Sequence, residues 1–287
     1  MPSNDAPKGR VLIVAGSDSG GGAGIQADVK SVTMLGGFAS TAITAVTIQN
    51  TLGVSGVIAL EPQAVRAQMQ AVLSDIGADV IKTGMLGEKR LVEALADARA
   101  TLAKGVPCIV DPVMAASSGD RLLPGGAVDA LRQLMVPGAA LITPNAVEAE
   151  ILTGKAVETL DGQRRAADRL LEMGALAALV KGGHVGQYEN ADMVDVLATH
   201  DGETFFDVER VRTTSTHGTG CTLASSISAG LARGLKLEEA IRLAHDYLSE
   251  ALRRAPGLGK GNGPMDHAWP ARDPERYSDM LGRRGLR

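Results

Sequence analysis

Strand-length apolar runs that alternate with stretches of helical period constrain this chain more than any other feature. Val11-Leu12-Ile13-Val14-Ala15, Ala78 to Leu86, Cys108 to Pro112, Ala140 to Thr143 and Ala177 to Lys181 each read as a buried strand. Between them the apolar residues repeat with helical spacing. One pattern begins near Ile25, and another runs from Pro62 to about Ile76 with Val65, Met69, Val72 and Ile76 on one face; Lys89 to Ala103, Gly126 to Met135, Val147 to Leu152 and Gln163 to Met173 follow. Strands joined through helices need right-handed crossovers, so the expected fold class is α/β, with a mostly parallel central sheet and helices on both faces. Ala39 to Asn50 and Val54 to Leu60 read as two more strands. After Gly182 the pattern changes: Asp192 to Thr199 and Thr204 to Val211, joined by Asp201-Gly202, read as a small edge β-hairpin. Helices Thr222 to Arg233 and Leu237 to Arg254 follow it. With 287 residues and neither an internal repeat nor a low-complexity linker, the expectation is a single domain, with 1–9 and about 271–287 as flexible tails.

Composition narrows the classes of function. Aromatic residues are only 2% of the chain, so its core must come from Val, Ile, Leu, Ala and Met. The net charge is −4 and no stretch joins clustered Lys and Arg to aromatic residues, so nucleic acid is not an expected partner. An acidic protein can still bind phosphate, because backbone amides carry no formal charge. No apolar run approaches the roughly 20 residues that cross a bilayer, and Met1 to Arg10 lacks a signal-like apolar segment, so no membrane partner is expected. Two cysteines cannot build a disulfide framework and point to a reducing, cytoplasmic setting. Cys108, inside an apolar run, reads as a packing residue.

Two glycine-bearing turns carry the chemistry. The first, Gly16-Ser17-Asp18-Ser19-Gly20-Gly21-Gly22-Ala23-Gly24, passes from strand to helix and lets a ligand approach the backbone. It fits neither the dinucleotide nor the P-loop pattern, having no lysine after the last glycine. The second, Thr216-His217-Gly218-Thr219-Gly220-Cys221-Thr222, opens a helix whose unpaired N-terminal donors can converge on one anion. Cys221 at that helix mouth, near a histidine, is expected to favour thiolate over thiol. The alternative is a tight turn holding an inert cysteine.

In a parallel sheet, ligands bind at the carboxyl ends of the strands. Asp18, Gln49, Asn50, Asp111, Asn145 with Glu148, and Lys181 all fall at such ends. Asn145 and Glu148 also match a helix capping box, and Asp28 and His184 alone pass for surface or helix-start residues. Taken together, a strand-end lysine, carboxylates able to hold Mg²⁺ through water and an amide cradle are the parts phosphoryl transfer needs.

These blocks resemble the bacterial hydroxymethylpyrimidine and phosphomethylpyrimidine kinases of thiamine biosynthesis, a branch of the ribokinase-like fold. The likeness runs through Ala15-Gly16-Ser17-Asp18, Gly21 to Asp28, Ile43 to Val46 with Gln49-Asn50-Thr51, Lys82-Thr83-Gly84-Met85-Leu86 and Asp111-Pro112-Val113-Met114. It continues through Ile142 to Asn145 with Glu148, Lys181-Gly182-Gly183-His184, His217 to Thr222, and Gly259-Lys260-Gly261 with Gly263-Pro264. The resemblance implies ATP-dependent phosphorylation of 4-amino-5-hydroxymethyl-2-methylpyrimidine and then of its monophosphate. It implies that Gly16, Asp28, Gln49, Met85 and Val113 hold the pyrimidine, with Asp28 and Gln49 bonding its nitrogens. Lys181, Asn145, Glu148, Asp111, His217 and Thr219 would face ATP, with Asp111 and Glu148 near Mg²⁺ through water; a monovalent cation stays open. Gly218, Thr219, Gly220, Cys221 and Lys181 would carry the transfer, Cys221 as base or as positioning group, and relatives suggest a homodimer. Where many family members carry Pro-Ser this chain has Ser19-Gly20, which implies a more flexible loop. Three rivals stand beside this reading: a pyridoxal or pyridoxine kinase, a Cys/His hydrolase using Cys221 and His217, and a non-catalytic pyrimidine sensor.

Overall fold

Leu12 and Val14 alternate with Val11, Ile13 and Ala15 along the first strand, and the alternation divides the interior into two aliphatic layers. The computed structural model describes residues 7–116, 119, 125–183 and 193–286. In chain order its strands are β1 (Arg10–Asp18), β2 (Phe38–Asn50), β3 (Gly53–Ala59), β4 (Val80–Thr83), β5 (Cys108–Val110), β6 (Leu141–Ile142), β7 (Ala177–Val180), β8 (Met193–Thr199) and β9 (Gly202–Val208). The helices are α1 (Gly24–Met34), α2 (Pro62–Asp75), α3 (Lys89–Leu102), α4 (Gly125–Leu134), α5 (Ala146–Thr153), α6 (Leu160–Glu172), α7 (Thr219–Ala232), α8 (Leu237–Arg253), α9 (Trp269–Arg272) and α10 (Pro274–Gly282).

The described strands form one sheet in the order β3-β2-β1-β4-β5-β6-β7-β8-β9. From β2 to β7 neighbours run parallel; β3, β8 and β9 add antiparallel margins. On one face Leu12, Val14, Ile81, Val110, Ile142 and Val180 pack under α2 to α6. On the other, Ile13 and Ala15 meet α1, while Val80, Ile109, Leu141 and Leu179 meet Leu223 and Ile227 of α7 and Ile241 and Ala244 of α8. Each aliphatic side chain fully removed from water contributes roughly 1.5–3 kcal/mol. The doubly covered sheet and the β8–β9 edge hairpin agree with the sequence expectation. The β2–β3 hairpin at the opposite margin is an addition to it.

The chain leaves β1 toward β2 on one side and returns as β4 on the other, so the order of strands reverses at β1. That reversal opens a crevice beyond the carboxyl ends of the central strands.

Of the boundaries that differ from the expectation, three concern the second turn and the two ends of the chain. The penultimate long helix begins at Thr219 rather than Thr222, because Gly218, at φ 82°, already accepts the Thr222 N–H at 2.9 Å. The stretch from about 271 is not a flexible tail. Asp273 caps α10, Pro274 starts it, and Met280 and Trp269 are buried in one cluster that Tyr277 also joins. At the other end, the Lys8 N–H donates to Gly36 O at 2.9 Å, while residues 1–6 lie outside the described residues, as do His184 and Asp192. No described helix is long and apolar enough to cross a membrane.

Candidate active site

Asp18, at the end of β1, organises the first glycine turn. Its carboxylate accepts the N–H groups of Gly20, Gly22 and Ala23 at 2.8–2.9 Å and lies 2.8 Å from His217 Nε2. Burial works against the carboxylate, but His217 and the amides outweigh it and hold Asp18 below its ordinary value. Ser19, expected to loosen this loop, instead fastens it: its Oγ donates to Gln49 O at 3.0 Å and accepts the Gln49 N–H at 2.9 Å. The Gln49 side chain lies 3.4 Å from His217 Nε2 and accepts from Thr47 Oγ1 at 3.1 Å. Met85 arches over Gly16 so closely that a Cβ there would stand 2.6 Å from its terminal methyl. Gly16, Gln49 and Met85 therefore share one side of the crevice.

The second turn presses against the first. A Cβ on Gly218 would lie 2.0 Å from Gly22 O, so only glycine fits, and its left-handed backbone turns the chain into α7. The first turn of α7 then points into the crevice. A Cβ on Gly220 would lie 3.4 Å from Lys181 Nζ and 3.9 Å from both Asp111 carboxylate oxygens. The unpaired amides of this helix start, the Lys181 ammonium and Asp111 thus converge on one point. Val113 stands beside it, its N–H donating to Asp111 O at 2.9 Å.

Beneath this point is a buried charge cluster. Lys82 on β4 is wholly buried, 2.9 Å from Asp28 Oδ1 and 3.7 Å from Asp111 Oδ2. Burial disfavours its ammonium, but Asp28, Cys221 and Asp111 outweigh that and hold it above the ordinary lysine value. Ser225 Oγ, one turn past Cys221 on α7, donates to Asp28 Oδ1 at 2.7 Å. Asp28, expected to bond the pyrimidine, has no exposed surface and faces Lys82 as a counter-ion inside α1, while its Oδ2 lacks a hydrogen-bond partner. Burial is the larger influence on Asp28 and pushes its carboxyl up, against Lys82 and Ser225.

Cys221 sits between these groups and the first turn, whose Gly24 amide points at its sulfur. The expected thiolate is corrected. Although the residue keeps partial exposure, burial of its sulfur pushes the thiol up to about 12, and the pull of Lys82 does not offset it. Cys108 is inert in the same way, at about 11.

Asn145 and Glu148 form the capping box that their spacing allowed, each side chain meeting the other's backbone N–H at 2.9 Å. Glu148 nevertheless faces the site. Burial pushes it up to about 7, Lys181 opposes this, Asp111 reinforces it, and the Asn145 and Met114 amides oppose it. The His217 side chain lies against the first turn, through Asp18 and Gly22. Thr219 begins α7 with partial exposure at the cradle.

Comparison with known proteins decides which family uses this arrangement. Residues 18–266 match the family described as phosphomethylpyrimidine kinase. The chain belongs to that family. It is 44% identical over 259 residues to hydroxymethylpyrimidine/phosphomethylpyrimidine kinase of Streptomyces coelicolor, covering 90% of this chain and 94% of that one. It is 48% identical over 269 residues to the thiamine biosynthesis bifunctional protein ThiED of Geobacter sulfurreducens, covering 93% of this chain but 54% of that protein. Among solved structures, phosphomethylpyrimidine kinase of Clostridium difficile 630 matches with TM-score 0.76 at 35% identity, covering 85% of this chain and all of that one. An ADP complex of Bacillus subtilis pyridoxal kinase matches with TM-score 0.83 at 32% identity, covering 91% and 98%. The fold is that of the ribokinase-like kinases, and the protein is a phosphotransferase.

Sequence reasoning left two roles in this kinase unassigned. Lys82 was quoted only within a motif, and a lysine in a strand says nothing until two carboxylates are seen around it. Asp18 was placed at a strand end without its task, although the glycines at 20 to 22 signalled amides in need of an acceptor.

Proposed function

We propose that this kinase transfers the terminal phosphoryl group of ATP to the hydroxymethyl oxygen of 4-amino-5-hydroxymethyl-2-methylpyrimidine, and then phosphorylates the monophosphate. The observation that carries the site assignment is the meeting of Gly220 of α7, Lys181 and Asp111 within about 4 Å, beside Cys221 and the Gly16–Gly24 turn. Amides and the ammonium neutralise charge on the three outer oxygens as the bond from phosphorus to the leaving ADP oxygen breaks and that to the alcohol forms. The thiol of Cys221, held protonated, orients the acceptor oxygen. The hydroxyl proton then leaves late, as a loose transfer permits, passing to an oxygen of the transferred phosphoryl group and from there to water.

Asp111 and Glu148 fit a Mg²⁺ held through water. Asp111 Oδ2 is buried without a hydrogen-bond partner, and Glu148, pushed up chiefly by burial, stands close enough to Asp111 and Lys181 to feel both charges. The ion would supply charge neutralisation at the phosphates. Gly16, Gln49, Met85 and Val113 would hold the pyrimidine. The outward side of β2–β3, with Val46, Ile48 and Ile58 exposed, supports a homodimer, and the two free cysteines fit a cytoplasmic setting.

Vitamin B6 phosphorylation is the second reading, favoured by the match to a pyridoxal kinase structure. Purified protein with ATP, Mg²⁺ and the aminopyrimidine alcohol should give mono- and diphosphate by mass spectrometry. A kcat/KM that favours pyridoxal by about tenfold or more would replace the first reading with the second.

A further inference from the structure

Lys181 lies just beyond the last paired residue of β7, where the ladder to β8 ends at Val180 and Val196. Past that rung a strand end would ordinarily fray. Here it is clamped by side chains. Gln163 of α6, almost fully buried, donates to Val180 O at 3.2 Å and to Val194 O at 2.9 Å. The Lys181 N–H donates to Pro144 O at 2.9 Å. The Gly182 N–H donates to Asp195 Oδ1 at 2.8 Å, and a Cβ on Gly182 would lie 2.1 Å from Val194 O. Asp195 Oδ2 in turn lies 2.9 Å from His245 Nε2 on α8.

We infer that Asp195 and His245 are a positioning pair that sets where Lys181 delivers its ammonium relative to the first turn of α7. Both side chains are about nine-tenths buried, and the Phe206 ring packs edge-on against His245 at 5.7 Å, so the pair is held in one orientation. The same helix that carries His245 also packs along α7 through Ile241 and Ala244. Helix α8 therefore braces both halves of the phosphoryl cradle. It holds the amides of α7 directly and the lysine through Asp195 and the Gly182 N–H. These two halves must meet one phosphoryl group, and a shift of about 1 Å between such groups can cost about a hundredfold in rate.

The inference rests on the reading of Lys181 as a phosphate-facing group, so its test includes that residue. Asp195→Ala is expected to lower kcat by about 10–100-fold, with KM for the pyrimidine alcohol changed less than about twofold. Asp195→Asn, which keeps an acceptor for the Gly182 N–H, and His245→Gln, which keeps a donor for Asp195, should recover most of that loss. In a Lys181→Ala background the Asp195→Ala effect should vanish, because the lysine it positions is gone. A merely structural aspartate would instead give additive losses. Wild-type kcat in Asp195→Ala, or full additivity in the double variant, overturns the pairing and leaves Lys181 in place. Wild-type kcat in Lys181→Ala overturns both assignments together. Should Asp195→Ala fail to fold, the comparison runs on Asp195→Asn and His245→Ala, with equal kcat in both and in wild type overturning it.

Discussion

His217 Nε2 lies 2.8 Å from Asp18 Oδ2, and this contact ties the turn that starts α7 to the turn that ends β1. Gly22 and Gly218 are glycine because the opposite turn occupies the space a side chain would need at each. The two turns are thereby held as one piece.

Removing that tie should affect both. Asp18→Ala takes away the carboxylate that accepts three amides and meets the His217 imidazole, a loss of about 2–4 kcal/mol. Urea denaturation should show this, together with a raised KM for the pyrimidine alcohol. Because the folded state holds Asp18 below its ordinary value, its contribution is present at neutral pH and fades as pH falls through that lowered value. An Asp18→Ala variant as stable as wild type would contradict the assignment.

The buried cluster sets a second expectation. Lys82→Met strips the ammonium from between Asp28 and Asp111, and breaking a buried pair in this way costs about 3–5 kcal/mol. Adding Asp28→Asn should restore part of the loss, since the uncompensated carboxylate is then gone. A change under about 1 kcal/mol for the single variant would show that its charge is compensated elsewhere.

Cys221 separates transfer from hydrolase chemistry. With its thiol pushed up to about 12, alkylation by iodoacetamide should be slow at neutral pH and accelerate only in strong base. Cys221→Ala should keep phosphoryl transfer at a rate reduced by about 10²–10³-fold, because charge neutralisation by α7 and Lys181 remains. Rapid neutral-pH alkylation, or complete loss of turnover with a trapped covalent intermediate, would favour the nucleophile.

Glu148 gives the reaction a pH dependence. Its carboxyl, pushed up to about 7, must lose a proton to serve a cation, so apparent Mg²⁺ affinity should rise between about pH 6 and 8 and then level off. Glu148→Gln should weaken that affinity and flatten its slope beyond what ATP itself contributes. Identical slopes in the two proteins would remove Glu148 from the metal's surroundings.

Most of the architecture was legible because apolar runs such as Val11 to Ala15 and Ala177 to Val180 are buried on both faces, and only a covered parallel sheet permits that. The capping box of Asn145 and Glu148 was legible from spacing alone. What stayed hidden depends on neighbours distant in sequence. The C-terminal helix α10 escaped notice because Tyr277, Met280 and Leu281 are its few apolar contacts, although Asp273-Pro274 marks a helix start. The thiolate expectation for Cys221 weighed the helix dipole without the burial that outweighs it. Asp28 read by itself passes for a surface or helix-start residue, because nothing near it in sequence shows that Lys82 lies 2.9 Å away.

The most direct measurement of the central claim is a crystal structure of the protein with Mg²⁺, a non-hydrolysable ATP analogue and the aminopyrimidine alcohol. The account expects the terminal phosphate on the amides of Gly220 and Cys221 and on Lys181 Nζ, with the hydroxymethyl oxygen between that phosphate and the Cys221 sulfur. A terminal phosphate bound away from the start of α7, or a pyrimidine seated outside the crevice of Gly16, Gln49 and Met85, would contradict it.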